Sequence, residues 1–185
     1  MGGSVPGAHV TAVNVSAVHG FSKVPALEVR LLDGLGVEGD AHCGMTVRHR
    51  FARRKNAEKP NLRQVHLIHA ELFDELARVG HPVRPGDLGE NVTTTGVDLL
   101  GVPTGAVLRL GADAEVEVTG LRTPCRLIDG FRPGLMQHMW YVDAHGRQAR
   151  RAGVMGVVRH GGLVRAGDPV TVVLPAGPHR PLAAV

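Results

Sequence analysis

The stretch AVLRLGADAEVEVT, residues 106–119, decides the fold class. It reads as two short strands, 106–110 and 115–119, with Gly111 between them. Two similar runs follow at 154–158 and 170–174, again separated by glycines. Toward the N-terminus, Val10, Ala12, Val13, Val15 and Val18 mark a first strand. Leu27, Val29 and Leu31 alternate with Glu28 and Arg30 and mark a second. Residues 63–69, RQVHLIH, resume the alternation. Helices are few. Leu72, Leu76 and Val79 fall at i, i+4 and i+7 ahead of Gly80, which predicts a helix over about 69–79. Residues 133–141 read as a short helix opened by proline, whose missing N–H needs no helical partner there. Short strands at close spacing predict a mainly β fold with a few α-helices, a barrel or strongly curved mixed sheet. A doubly wound nucleotide fold is disfavoured: strand–helix alternation is missing, no GxGxxG lies between a strand and a helix, and no P-loop is present.

Composition agrees. The 185 residues include 25 Gly and 12 Pro, which disfavours a coiled coil or helix bundle. Trp140, Tyr141 and four Phe are the only aromatics, so single-stranded nucleic acid would find few stacking platforms. A net charge of +4 favours anionic partners but is small for a nucleic-acid binder. Cys43 and Cys125 form no CxxC pair, which disfavours a zinc knuckle or disulfide scaffold and points to a reducing, cytoplasmic setting. No basic start followed by an apolar run is present, and no apolar stretch nears the roughly 18 residues of a membrane span. The expected organisation is a tail over 1–9, one domain over 10–174, and an extended, proline-rich tail over 175–185.

Four constellations could carry chemistry. Cys125 lies in LRTPCRLI, residues 121–128, behind the stiffening Pro124 and between Arg122 and Arg126. Nearby cations stabilise a thiolate, the form that attacks electrophiles or binds soft metals; the alternative is a small buried hydrophobe. The loop GDAHCG, residues 39–44, sets Asp40, His42 and Cys43 between Gly39 and Gly44. It suits close backbone approach to an anion or cofactor, or simply a tight polar turn; a closed zinc site lacks a second ligand pair. RHRFARRK, residues 48–55, begins at Arg48 and extends through Lys59 to Arg63. It is either a phosphate-binding arginine cluster or a solvated loop. GDLGEN, residues 86–91, groups Asp87, Glu90 and Asn91 around Gly89, with TTTG after it; it reads as a turn, or as a site where Asn91 meets a heterocycle edge. His66 and His69 read as surface or core histidines. Together the four suggest a cysteine-centred site for an anionic cofactor.

The ordered set GVEGDAHCG, RQVHLI, PGDLGENVTTTGVDL, LRTPC and GVMGVVRHGGLVRAGDPV resembles the MOSC domain, the C-terminal module of molybdenum-cofactor sulfurases that also occurs free-standing in bacteria. The resemblance spans about residues 10–174. It implies a closed or partly open β-barrel with peripheral helices. It implies molybdenum cofactor, a phosphate-bearing pterin dithiolene, and Cys125 as metal ligand. In family reductases the substrates are N-hydroxylated compounds. The resemblance singles out Cys125; joined with the constellations above, the candidate catalytic group is Cys125, Arg122, His42 and Asp40, and the candidate cofactor-binding group is Arg48, Arg63, Gly89, Glu90, Asn91, Gly44 and Thr123. The partners implied are a small-molecule substrate and an external electron-donor protein, with a homodimer left open. A carrier of cofactor or persulfide, and a molybdenum-independent cysteine enzyme, are the alternatives. No pyridoxal-phosphate, flavin or nucleotide motif is present. The chain departs from an HGG-type segment by reading HCG, which makes Cys43 a competitor to Cys125.

Overall fold

The computed structural model describes residues 7–46, 58–142, 146 and 148–185. Its organising unit is a parallel pair. Strand β5 (Val65–His69) leads through helix α1 (Glu71–Arg78) into β6 (Val92–Thr95), and β5 and β6 pair in parallel with Leu67 opposite Val92. The other strands join in antiparallel fashion. β1 (His9–Val15) pairs with β6 and with the short β2 (Val24–Ala26). On the far side β11 (Val154–His160) pairs with β5 and with β8 (Ala114–Leu121). β7 (Val107–Leu110) and β13 (Val170–Val173) complete the order β13-β7-β8-β11-β5-β6-β1-β2. Strands β3 (Glu28–Leu32), β4 (Gly36–Val37) and β12 (Gly162–Arg165) form a separate three-stranded sheet.

Of the two barrel forms expected, the partly open one fits. Among the described residues no ladder joins the outer strands β13 and β2, so the barrel is not closed. A single bridge between His9 and Pro169, reinforced by Val10 N–H donating to Asp168 O at 2.8 Å, ties β1 to the approach of β13. The C-terminal residues lie against the body: Leu121 N–H donates to Ala183 O at 2.7 Å and Thr104 N–H to Arg180 O at 2.9 Å. No described helix is long and apolar enough to cross a membrane.

Strand β5 separates two apolar clusters. Side chains alternate across a strand. Val65 and Leu67 therefore enter the larger cluster, with Val10, Val116 and Val154. Ile68 enters the smaller one, with Leu72 and Leu76 of α1 and Leu88. Ile128 of α2 (Leu127–Phe131) and Met139 of the 3-10 turn Met136–Met139 complete that layer. The short helix expected over 133–141 is this single turn followed by β9 (Trp140–Val142), which pairs with β10 (Gln148–Arg150).

One local expectation is corrected. The stretch GDLGEN with TTTG after it reads from the sequence as a turn, but the threonines do not continue one. They form β6, with Thr93 and Thr94 fully buried. β-Branched threonine suits a strand, and pairing on both sides satisfies the backbone that a turn would have served.

Candidate functional site

Register places the site. Met155 pairs with Gly120 on one side and His66 on the other. Asn91 continues the row, accepting His66 N–H on its Oδ1 at 3.2 Å and donating its own N–H to His66 O at 2.8 Å. His66 shares the face of Ile68, so this row looks away from the larger cluster. A cavity of about 360 Å³ opens over it, within the usual size range of ligand sites.

Cys125, Arg122 and Thr123 reach the cavity from the segment that leaves β8. His42 enters from the loop after β4, and Arg63 and Asn61 from the approach to β5. Gly89 and Asn91 come from GDLGEN. Three expected residues stand behind the wall rather than in it: Asp40, Glu90 and Gly44. Gly44 O accepts from Asn61 Nδ2 at 3.0 Å, and Asn61 Oδ1 accepts Arg63 N–H at 3.1 Å. Arg48 and the run 48–55 lie outside the described residues. The ends flanking that run meet in a bridge between Thr46 and Pro60, just before Asn61 and Arg63.

Asp40 is the hub. Its carboxylate accepts from Lys23 Nζ, from Asn91 Nδ2 at 2.9 Å, from His42 N–H at 2.9 Å and from His42 Nδ1 at 3.1 Å. Burial alone would raise its pKa, but the His42 hydrogen bond and the Lys23 charge outweigh burial and hold the carboxyl below the usual carboxylate range. Burial lowers the Lys23 pKa against the opposing pull of Asp40.

Arg122 supplies the cavity's unsatisfied charge. Its Nη1 is buried without a hydrogen-bond partner, and its guanidinium lies 5.8 Å from the Phe21 ring centroid. Burial lowers its pKa, while Cys125 and Glu90 favour its charged form. Glu90 is fully buried, and its Oε1 accepts from Gly86 N–H and from Thr93 Oγ1 at 3.2 Å; Oε2 has no partner. Burial pushes its carboxyl up to about 7. His66 bonds Ala152 O through Nε2 at 2.8 Å, and burial with the Arg122 charge pushes it down to about 3, so it is neutral near pH 7. Lys23, Arg63 and Arg122 thus converge on one cavity with Asp40 as the firmly ionised carboxylate, and the balance favours an anion.

GDLGEN builds a wall as well as lining one. Gly86 and Gly89 have φ of +88° and +82°. A Cβ on either would run into the carbonyl oxygen of Lys23 or Phe21. Gly86 O accepts Lys23 N–H, and Asp87 O accepts from Ser22 Oγ, both at 2.8 Å. The two glycines thereby seat the segment that carries Phe21 and Lys23. Gly89→Ala is expected to lower unfolding free energy by about 2 kcal/mol, through strain and displacement of Phe21. Urea denaturation measures this; a loss below about 0.5 kcal/mol, the scatter of neutral surface changes, would contradict the packing role.

Sequence reasoning missed Lys23, Phe21, Asn61, Met155 and Leu127, and placed His66 without a role. Lys23 stands in no charge run, and the apolar members carry no chemical signature. Only His66, a polar residue inside the apolar run VHLI, offered a signal.

With the geometry in place, the comparisons are specific. The MOSC domain family matches residues 43–171, most of the chain, and the protein belongs to that family. Similar solved structures include the YuaD protein from Bacillus subtilis, with TM-score 0.72 and 22% identity over 93% of this chain and 98% of that one. YiiM from Escherichia coli gives TM-score 0.61 and 21% identity over 91% and 71%. YiiM from Geobacillus stearothermophilus gives 0.58 and 19% over 90% and 75%. At these identities the likeness concerns the fold. The comparison with curated proteins finds no match.

Proposed function

We propose that the protein binds molybdenum cofactor in this cavity, with Cys125 as the protein's metal ligand, and reduces N-hydroxylated small molecules with electrons from an external donor protein. The observation that carries this reading is the meeting of one thiol, Cys125, with Arg122, Arg63 and Lys23 in a single cavity. The residues fit the group. Molybdenum accepts soft thiolate donors. The orphaned Nη1 of Arg122 is a buried donor awaiting an anion, and arginine forks match phosphate oxygens.

When bound, the cofactor would supply the two-electron redox step. The chain's own residues do the rest. Arg63 and Arg122 hold anionic groups, and Phe21 and Leu127 exclude water from one side. Reducing an N–OH bond to N–H consumes two electrons and two protons and releases water. We assign delivery of a proton to the departing oxygen to His42, whose ring Asp40 orients at Nδ1.

The test is turnover. Protein from a cofactor-producing host, supplied with a chemical reductant, is expected to convert an amidoxime to the amidine. The same protein made in a cofactor-deficient host is expected to show none. Equal turnover by metal-free protein would overturn the reading.

A further inference from the structure

The chain holds a second cavity, of about 380 Å³, away from the site above. It opens between the turn at 100–103, the end of β8, the β9–β10 hairpin and residues 179–182. Its floor is apolar: Leu100, Val102, Pro103 and Leu182. Its polar members are basic, Arg150, His179 and Arg180, joined by the Tyr141 phenol, and no described residue lining it is a carboxylate. Arg150 Nε is buried without a hydrogen-bond partner, and its guanidinium sits 5.1 Å from the Trp140 ring centroid.

The wall carrying Arg180 is fixed. Thr104 N–H donates to Arg180 O at 2.9 Å and Thr104 Oγ1 to Pro181 O at 3.3 Å. Leu121 N–H donates to Ala183 O at 2.7 Å, and Val185 N–H returns to Leu121 O at 3.2 Å. Two arginines lining a largely apolar cavity match a ligand with an anionic head and an apolar body.

We propose that this cavity is a second ligand site, for small amphipathic carboxylates, built partly from the C-terminal residues and independent of the cofactor reading. Arg150 and Arg180 take the carboxylate, and the apolar body lies on Leu100, Val102 and Leu182.

Octanoate tests it, with acetate as the head alone and octanol as the body alone. Trp140 is the chain's only tryptophan and lies beside Arg150. Calorimetric titration, read with Trp140 fluorescence, is expected to show saturable octanoate binding at least tenfold tighter than acetate or octanol. Arg180 is exposed, so Arg180→Gln leaves the core intact; it is expected to weaken octanoate at least tenfold. Cys125→Ala is expected to bind octanoate like the parent. Absence of calorimetric saturation, an unchanged Kd in Arg180→Gln, or loss of binding in Cys125→Ala would each overturn the proposal.

Discussion

Cys125→Ser will abolish the proposed N–OH reduction, by at least about 100-fold, while Cys43→Ser retains most of it. Altering groups that merely support a metal ligand costs about 10–100-fold, and loss of the ligand itself should reach the upper end or beyond. Cys125 lines the cavity beside Arg122 and Thr123, whereas Cys43 does not line it. Cys125 is half-buried and its carbonyl, not its thiol, anchors α2 by accepting Ile128 N–H at 3.0 Å. The substitution should therefore leave the urea midpoint nearly unchanged, which separates lost chemistry from lost folding. Activity surviving in Cys125→Ser and vanishing in Cys43→Ser would move the ligand to the GDAHCG loop.

The second large effect is on stability against pH, and it comes from the two buried groups beside Arg122. In the unfolded chain His66 takes up its proton as pH falls through 6.5; in the fold it stays neutral down to about 3. The unfolded state binds the extra proton in between, so stability falls with acidification, by on the order of 5 kcal/mol across that window. Glu90 acts in the opposite direction. The unfolded chain releases this proton near 4.5, while the fold keeps it to about 7. Stability therefore falls as pH rises from 4.5 to 7, by on the order of 3 kcal/mol. Between 4.5 and 6.5 the two slopes nearly cancel, leaving a plateau with an acid limb below it. His66→Gln should flatten the acid limb, and Glu90→Gln should remove the decline toward neutral pH. Urea denaturation from pH 3.5 to 8 checks both. An acid limb unchanged in His66→Gln would show that other groups set it.

Much of this architecture was legible in the sequence because its strands are short, apolar and fenced by glycine. The strands at 106–110 and 115–119 emerge as β7 and β8, and the helix expected over 69–79 emerges as Glu71–Arg78. Polar strands were not legible. Val92–Thr95 carries three threonines, and only pairing with β1 and β5 makes it a buried strand. At the site, Cys125 and Arg122 could be associated because they are sequence neighbours. Lys23 could not: it gains its setting from Asp40, seventeen positions on, through a loop closure that local pattern does not encode. Asn91 reads from the sequence either as part of a turn or as a group for a heterocycle edge, and it lines the cavity. Its amide engages Asp40, Asn14 O and His66 N–H, so much of its hydrogen-bonding capacity is directed into the protein, which the local pattern does not encode. The basic run at 48–55 lies outside the described residues; among the described residues, the cationic side chains lining the cavity are Arg63, Arg122 and Lys23.

The measurement that tests the central claim most directly is the molybdenum and pterin content of protein purified from a cofactor-producing host, beside Cys125→Ala prepared in parallel. The account predicts near-stoichiometric molybdenum and pterin in the parent and loss of most of the molybdenum in Cys125→Ala. A parent free of both, or a variant that keeps its full molybdenum, would contradict it.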